Sequence, residues 1–256
     1  MKKNLANKLL KTTAIAVSLV WLGIAVPVPG YAATADEEKS EKFLREARDF
    51  IKKGDGNAAV IQLKNALQSN PGNVAARQLL GEIYLRVGNG PSAEKEFRAA
   101  MRRGANDTRI KILLARAYLL QGKNKEALEE VSADVTDEEA RPDALIVRGQ
   151  ALLGLREFDK ARTALMDADK LKPEDVRAKI GLAQSFLSQG KIKEGEAEID
   201  EALRRKPESV EALVLKGELR RLNKDLDGAV QQFDKAVKVN DKNLLARLGR
   251  AASLID

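Results

Sequence analysis

The sequence predicts an all-α fold, a solenoid of helical hairpins that repeats every 34 residues. The composition is 44% hydrophobic but only 4% aromatic, which favours closely packed helices over a β-sandwich. Counted from Ser40, the pattern runs in steps of 34 residues without an insertion or deletion. Small residues, large apolar residues and turn-forming residues each recur at fixed positions of that step.

Six full repeats and half of a seventh account for the predicted repeat domain, residues 36–256. The full repeats start at Ser40, Val74, Thr108, Pro142, Val176 and Val210, and the half repeat covers 244–256. Positions are numbered here from 1 at each start. This division makes every repeat one pair of helices.

Small residues mark the helix contacts that the repeat predicts. At positions 8, 20 and 27, eighteen of nineteen residues are Ala or Gly, and the exception is Asp134. Antiparallel helices approach closely only where contact positions carry little side chain. Large residues fill the neighbouring layer at position 24, with Leu63, Phe97, Val131, Leu165, Ile199 and Phe233. These residues are the predicted core.

Glycine and proline recur at the ends of the predicted helices. Position 15 holds Gly54, Gly88, Gly122 and Gly190, and glycine takes the left-handed conformation that often ends a helix. Position 32 holds Pro71, Pro173 and Pro207, where proline stops the second helix. Both signals recur with the same 34-residue spacing.

This small–large–small pattern resembles the tetratricopeptide repeat (TPR) and covers Ser40 to Asp256. The resemblance implies a right-handed α-solenoid of helix-turn-helix repeats, with the first helices lining a concave face. It further implies that positions 2, 5, 9 and 12 of the first helices hold a protein or peptide partner.

The most continuous apolar part of this partner-binding face lies in repeats three to five. Its predicted members are Arg109, Ile112, Arg116, Leu119, Ile146, Gln150, Leu153, Arg177, Ile180, Gln184 and Leu187. The aliphatic residues suit an amphipathic helix or an apolar extended segment, and the arginines are expected to add positive charge. The alternative is that superhelical curvature buries part of the aliphatic residues between adjacent first helices.

Two stretches depart from the repeat. Residues 131–141 contain Asp134 in a small apolar position, which predicts a shortened second helix in repeat three. This segment is either a local irregularity or a flex point between two half-arrays. The last helix is apolar for a terminal one, so the chain is either part of a longer array or pairs there with another subunit. The oligomeric state stays open.

Residues 1–35 read as a secretory signal. Lysines precede the apolar run Ala14–Val26, and small residues follow it. Thirteen helical residues span about 20 Å, short of the ~30 Å hydrocarbon core. Cleavage is expected after Ala32 or Ala35, which predicts an exported, periplasmic or envelope-associated protein. The alternative is an uncleaved N-terminal anchor.

Composition excludes several kinds of chemistry. The chain has no Cys and no His, so thiolate nucleophiles, disulfides, Cys/His zinc sites and imidazole bases are excluded. The net charge of +7 falls to +3 without the four lysines before residue 35. The sequence has no stripe of basic residues of the kind that binds nucleic acid, so we expect no nucleic-acid partner. We expect no cofactor, metal or catalysis. A carboxylate-based hydrolase is the least favoured alternative, because the acids lie mostly at polar helical positions.

A narrower resemblance lies in repeats one and two. Residues 43–55, 59–71, 77–88 and 93–105 resemble the TPR proteins of bacterial exosortase (PEP-CTERM) systems, called PrsT-like. That family is linked to exopolysaccharide production and export. The resemblance implies a non-enzymatic adaptor in the cell envelope, within a membrane-associated secretion complex. The alternative is an adaptor for periplasmic assembly or outer-membrane biogenesis.

Overall fold

The computed structural model describes residues 34–132 and 136–255. This part of the chain contains α-helices and no β-strand, and Ala35–Asp256 form one compact unit. The predicted all-α solenoid is confirmed. The helices are α1 (Ala35–Lys52), α2 (Gly56–Ser69), α3 (Val74–Arg86), α4 (Gly90–Met101), α5 (Thr108–Leu119), α6 (Asn124–Glu130), α7 (Arg141–Gly154), α8 (Phe158–Leu171), α9 (Arg177–Leu187), α10 (Ile192–Arg205), α11 (Val210–Leu222), α12 (Leu226–Val239) and α13 (Leu244–Ser253).

Each helix packs on the next one along the chain, and the first helices also contact each other in the pairs α3 with α5, α5 with α7, α7 with α9, and α11 with α13. A first helix begins within one residue of each predicted repeat start from Val74 onward, whereas α1 begins at Ala35, before Ser40. Among the described helices, none combines the length and apolar character needed to cross a membrane. The predicted secretory signal lies outside the described residues except for Thr34 and Ala35.

Helix starts are fixed by side chains that recur with the repeat. Asn73, Asp107 and Asn243, all at position 34, accept a hydrogen bond from a backbone N–H in the first turn of α3, α5 and α13. Asp55 and Asp225, both at position 16, do the same for α2 and α12. Such caps satisfy N–H groups that have no partner within the helix.

The hairpin core follows the predicted size pattern. Position 24 side chains are buried in all six repeats. A Cβ placed on Gly81 would meet the Phe97 ring at 2.5 Å, and one on Gly217 would meet the Phe233 ring at 2.8 Å. Both glycines lie at position 8, so the missing side chain makes room for phenylalanine in the same hairpin.

The irregular segment of repeat three contains a short second helix, as expected. Helix α6 has 7 residues, whereas α8 has 14. Val131 follows α6 yet is only 2% exposed, and the Arg148 side chain donates a hydrogen bond to the Val131 carbonyl oxygen at 3.3 Å. Asp134 itself lies outside the described residues, so the choice between an irregularity and a flex point stays open.

Helix α13 and the two residues that follow it expose apolar side chains. Leu244, Leu245 and Leu248 are exposed on the helix, and Leu254 and Ile255 are exposed after it. Ala251, at position 8, is also exposed, unlike the buried small residues at that position in the full repeats. The apolar character predicted for this helix is therefore present on its surface.

Candidate binding groove

A groove of about 1160 Å³ runs across the first helices α3, α5 and α7. Seven of the eleven predicted face residues line it: Arg109, Ile112, Arg116, Leu119, Ile146, Gln150 and Arg177. The other four predicted residues, Leu153, Ile180, Gln184 and Leu187, lie on α7 and α9 outside this lining. The structure thus brings most of the predicted residues to one surface feature.

The position 5 isoleucines of repeats three to five are buried rather than part of an exposed track. Ile112, Ile146 and Ile180 are 5%, 2% and 6% exposed. Each belongs to the same buried cluster as the position 3 alanine of the next repeat: Ala144, Ala178 and Ala212 respectively. For these three isoleucines the structure therefore shows the burial alternative.

The groove arginines are paired with acids, which corrects the expectation of added positive charge. Arg109 Nη2 lies 3.2 Å from Glu82 Oε1. Arg116 Nη2 and Arg177 Nη2 both donate to Asp143 Oδ1, at 2.8 Å and 2.6 Å. Each pair joins first helices of adjacent repeats, so the arginines tie neighbouring repeats together.

A second acid completes the pairing of Arg177. Its Nε donates to Asp175 Oδ1 at 2.8 Å. Burial opposes the charged carboxylate, but the hydrogen bonds from Arg177 outweigh it and hold the pKa of Asp175 below the usual value of 3.8. The hydrogen bond to Asp175 in turn raises the pKa of Arg177. Arg177 is therefore strongly satisfied within the protein.

Arg116 lies in a less favourable environment. Burial, and then the neighbouring charge of Arg177, lower the pKa of Arg116 below its usual value. A guanidinium group has five N–H donors, and within the described residues the Arg116 side chain makes one hydrogen bond, to Asp143. Its other N–H groups make no hydrogen bond to a described residue.

Eight of the eleven predicted residues remain partly or wholly accessible, and we call the six at positions 9 and 12 the polar–leucine face. They are Arg116, Leu119, Gln150, Leu153, Gln184 and Leu187. The three leucines are half-buried, and Gln150 and Gln184 are exposed. No hydrogen bond from either glutamine side chain to another described residue occurs. A role for this face in partner binding stays a prediction.

Acidic side chains are spread along the array. In the described ranges, 34–132 and 136–255, no group of three or more Asp or Glu residues is arranged to hold a metal ion. Several acidic side chains instead form ion pairs with basic side chains of a neighbouring helix. Glu196 and Asp200 on α10, for example, each have a carboxylate oxygen 2.8 Å from Lys216 Nζ on α11. These carboxylates contribute to packing between repeats.

Comparison with known proteins agrees with the repeat pattern. One family model described as tetratricopeptide repeat matches residues 50–117, and a second with the same description matches 112–176, 146–199 and 180–243. Anaphase-promoting complex subunit 3 of Schizosaccharomyces pombe is 23% identical over 143 residues, which cover 56% of this chain and 22% of that protein.

Solved structures share the fold at low sequence identity. PilW, a type IV pilus biogenesis factor, has a TM-score of 0.62 and 17% identity, over 82% of this chain and 97% of PilW. PilF of Pseudomonas aeruginosa has a TM-score of 0.56 and 16% identity, over 85% of this chain and 99% of PilF. The Cut9–Hcn1 hetero-tetramer of the anaphase-promoting complex has a TM-score of 0.64 and 12% identity, over 85% of this chain and 43% of the matched chain. With family models that match more than half of its length, the chain belongs to the tetratricopeptide repeat family.

Proposed function

We propose that this TPR protein is a non-enzymatic adaptor that holds a protein or peptide partner on the polar–leucine face. The observation that carries the proposal is a repeated pair: α5, α7 and α9 each place a half-buried leucine beside a polar side chain with hydrogen-bonding capacity to spare. Such apolar contacts and a few fixed polar groups are what a peptide-binding surface needs.

The proposed location is the bacterial cell envelope. It is supported by the signal-like pattern of residues 1–35, which predicts export to the periplasm. N-terminal sequencing of the protein from fractionated cells tests this point. A periplasmic form that begins at Ala33 or Asp36 supports it, and a cytoplasmic chain with an intact N-terminus contradicts it.

The proposed process is exopolysaccharide production and export linked to an exosortase system, within a membrane-associated secretion complex. The support is the resemblance of residues 43–105 to PrsT-like proteins. Deletion of the gene is expected to reduce secreted exopolysaccharide, and the wild-type gene is expected to restore it. Unchanged secretion in the deletion strain would remove this part of the proposal.

A site-specific photo-crosslinker tests partner binding. Placed at Gln150, it should capture a defined partner in living cells, because Gln150 is exposed in the groove. The same crosslinker at Gln231, which is exposed on α12, is the matched control. Equal crosslinking at both positions would contradict binding on the face, and mass spectrometry identifies a partner that Gln150 captures selectively.

A second candidate is an adaptor for periplasmic assembly or outer-membrane biogenesis. It is motivated by PilW, which is described as a type IV pilus biogenesis factor. This candidate uses the same face, so the identity of the bound partner distinguishes it from the exopolysaccharide role. Pilus or outer-membrane assembly proteins crosslinked at Gln150 would favour it over the exopolysaccharide role.

A further inference from the structure

Helix α13 exposes a stripe of side chains that is covered in the other first helices. The stripe consists of positions 1, 4, 8 and 11, which lie along one face of a helix. In the six full repeats, no residue at these four positions is exposed. On α13 and the residue that caps its C-terminus, all four are exposed, and they are Leu244, Arg247, Ala251 and Leu254. We call these four residues the α13 stripe.

In the full repeats, the second helix of the same hairpin covers these positions. Ser40, at position 1, donates a hydrogen bond to the carbonyl oxygen of Ala66 on α2 at 2.8 Å. A Cβ on Gly149, at position 8, would meet the Leu165 side chain on α8 at 2.5 Å. Within the described residues, α13 packs on α12 and α11, and no second helix follows it. The α13 stripe is therefore one half of a hairpin interface.

The charge at position 4 predicts the charge at position 23 of the covering helix. Every full repeat with a basic residue at position 4 has glutamate at position 23, and the pairs are Arg77 with Glu96, Lys111 with Glu130, and Lys179 with Glu198. The first and last of these are ion pairs with N–O distances of 2.8 Å. Repeats with Phe or Leu at position 4 have Gln or Ala at position 23. Arg247 forms no hydrogen bond or ion pair with a described residue, so its complement is a glutamate.

The size of position 8 predicts the size of position 24 in the same way. Phenylalanine at position 24 occurs only with glycine at position 8, in the pairs Gly81 with Phe97 and Gly217 with Phe233. The three alanines at position 8 each share a buried cluster with an aliphatic residue at position 24, and the pairs are Ala47 with Leu63, Ala115 with Val131, and Ala183 with Ile199. Ala251 is therefore matched to an aliphatic residue rather than an aromatic one.

Charge also distinguishes between the possible sources of the covering helix. Residues 244–255 contain two arginines and no acid, so a second copy of α13 on this stripe would bring basic side chains together without a partner. Residues 1–33 contain no acid either, so the apolar run near the N-terminus does not supply the complement of Arg247. The glutamate must come from a different helix.

We infer that α13 docks an amphipathic helix of a partner protein, in the place of a second helix of repeat seven. The partner helix runs antiparallel to α13, with a glutamate beside Arg247 and Leu, Val or Ile directly after it, against Ala251. Small residues stand three positions before the glutamate and three positions after the aliphatic residue, as at positions 20 and 27. The α13 stripe is separate from the polar–leucine face on α5, α7 and α9, so the inference does not rest on the proposed function.

Fluorescence anisotropy with the full chain and a labelled, stapled helical peptide tests the inference. The peptide has the sequence of residues 191–205, which form α10, because repeat five combines a basic position 4 with alanine at position 8, as α13 does. It should bind saturably, and its Glu198→Lys form should bind about tenfold more weakly, because lysine would face Arg247. The protein variant Arg247→Glu should reverse this preference. Arg45→Glu, exposed on α1, is the matched control and should leave the preference unchanged.

A second pair of substitutions tests the match in size. The Ile199→Phe form of the peptide should bind the wild-type chain about fivefold more weakly, because the ring would meet the Cβ of Ala251. The protein variant Ala251→Gly should recover that loss, since it recreates the combination of glycine and phenylalanine found in repeats two and six. Circular dichroism checks that each protein variant keeps its helices.

Three results would overturn the inference. They are no binding of the peptide, equal affinity of the wild-type chain for its Glu and Lys forms, and a dimer in light scattering that Leu254→Asp dissociates. The last result would show that a second copy covers the α13 stripe. A monomer that binds the peptide with the expected charge reversal supports the partner helix. The crosslinker at Gln150 reports on a different surface, so its outcome leaves this inference unaffected.

Discussion

At the residue scale, the turn after each first helix shows how one position shapes local stability. Position 15 has a positive φ in repeats where it is glycine, as at Gly190 (φ 73°). Repeats four and six place Arg156 and Lys224 there, with φ of 62° and 61°. A side chain with a Cβ is disfavoured in this left-handed conformation by about 1–2 kcal/mol. These two turns therefore carry strain that the glycine turns avoid.

Replacement of Lys224 by glycine is expected to raise the free energy of unfolding by about 1 kcal/mol. Urea denaturation followed by circular dichroism measures the change. Gly190→Lys, at the same position of repeat five, is the matched opposite and should lose a similar amount. An unchanged or lower stability for Lys224→Gly would show that this turn is unstrained.

At the element scale, the hairpins depend on size matching between positions 8 and 24. Sequence alone predicted this interface, because Ala or Gly recurs where helices must approach closely. The sequence did not show whether the position 5 isoleucines are exposed on the concave face or buried between adjacent first helices. The missed signal was position 3, which holds alanine in most repeats, since Ala144, Ala178 and Ala212 each belong to the same buried cluster as one of those isoleucines. Contacts between repeats were harder to predict because they depend on the angle at which one hairpin packs against the next.

Gly81→Ala should destabilise the protein by about 2 kcal/mol, because its new Cβ would meet the Phe97 ring at 2.5 Å. Phe97→Leu alone should cost about 1 kcal/mol through lost packing. The double variant recreates the Ala47 and Leu63 combination of repeat one. It should be less destabilised than the two single effects added together, as measured by a double-mutant cycle. Simple additivity would contradict direct contact between the two positions.

At the scale of the whole molecule, ion pairs join repeats across the groove. Asp143 on α7 accepts from Arg116 of the preceding repeat and from Arg177 of the following one, so three repeats meet at one carboxylate. The sequence predicted these arginines as face residues. It could not predict their pairing, since the acids come from neighbouring repeats and from the loop before α9. The free hydrogen-bonding capacity of the face is correspondingly confined to Arg116, Gln150 and Gln184.

The Asp175–Arg177 pair should make stability depend on pH in the acid range. The pKa of Asp175 is below 3.8 in the folded protein, so the unfolded chain binds a proton more readily. The contribution of this carboxylate is present above pH 3.8 and is lost as the pH falls through the lower folded value. Asp175→Asn should therefore destabilise the protein at pH 7 and have little effect well below pH 3.8. A difference that does not change with pH would contradict the pairing.

The central claim is that the polar–leucine face holds the partner, and the most direct measurement compares two leucine substitutions. Leu153 lies on the face, whereas Leu171 is 51% exposed on α8 and lies outside it. Capture of the partner identified through Gln150 is measured with purified variants, and circular dichroism reports the fold. Leu153→Asp should weaken capture at least tenfold with helical content unchanged, since a carboxylate would replace an apolar contact. Leu171→Asp should have no effect, and equal capture by both variants would contradict the claim.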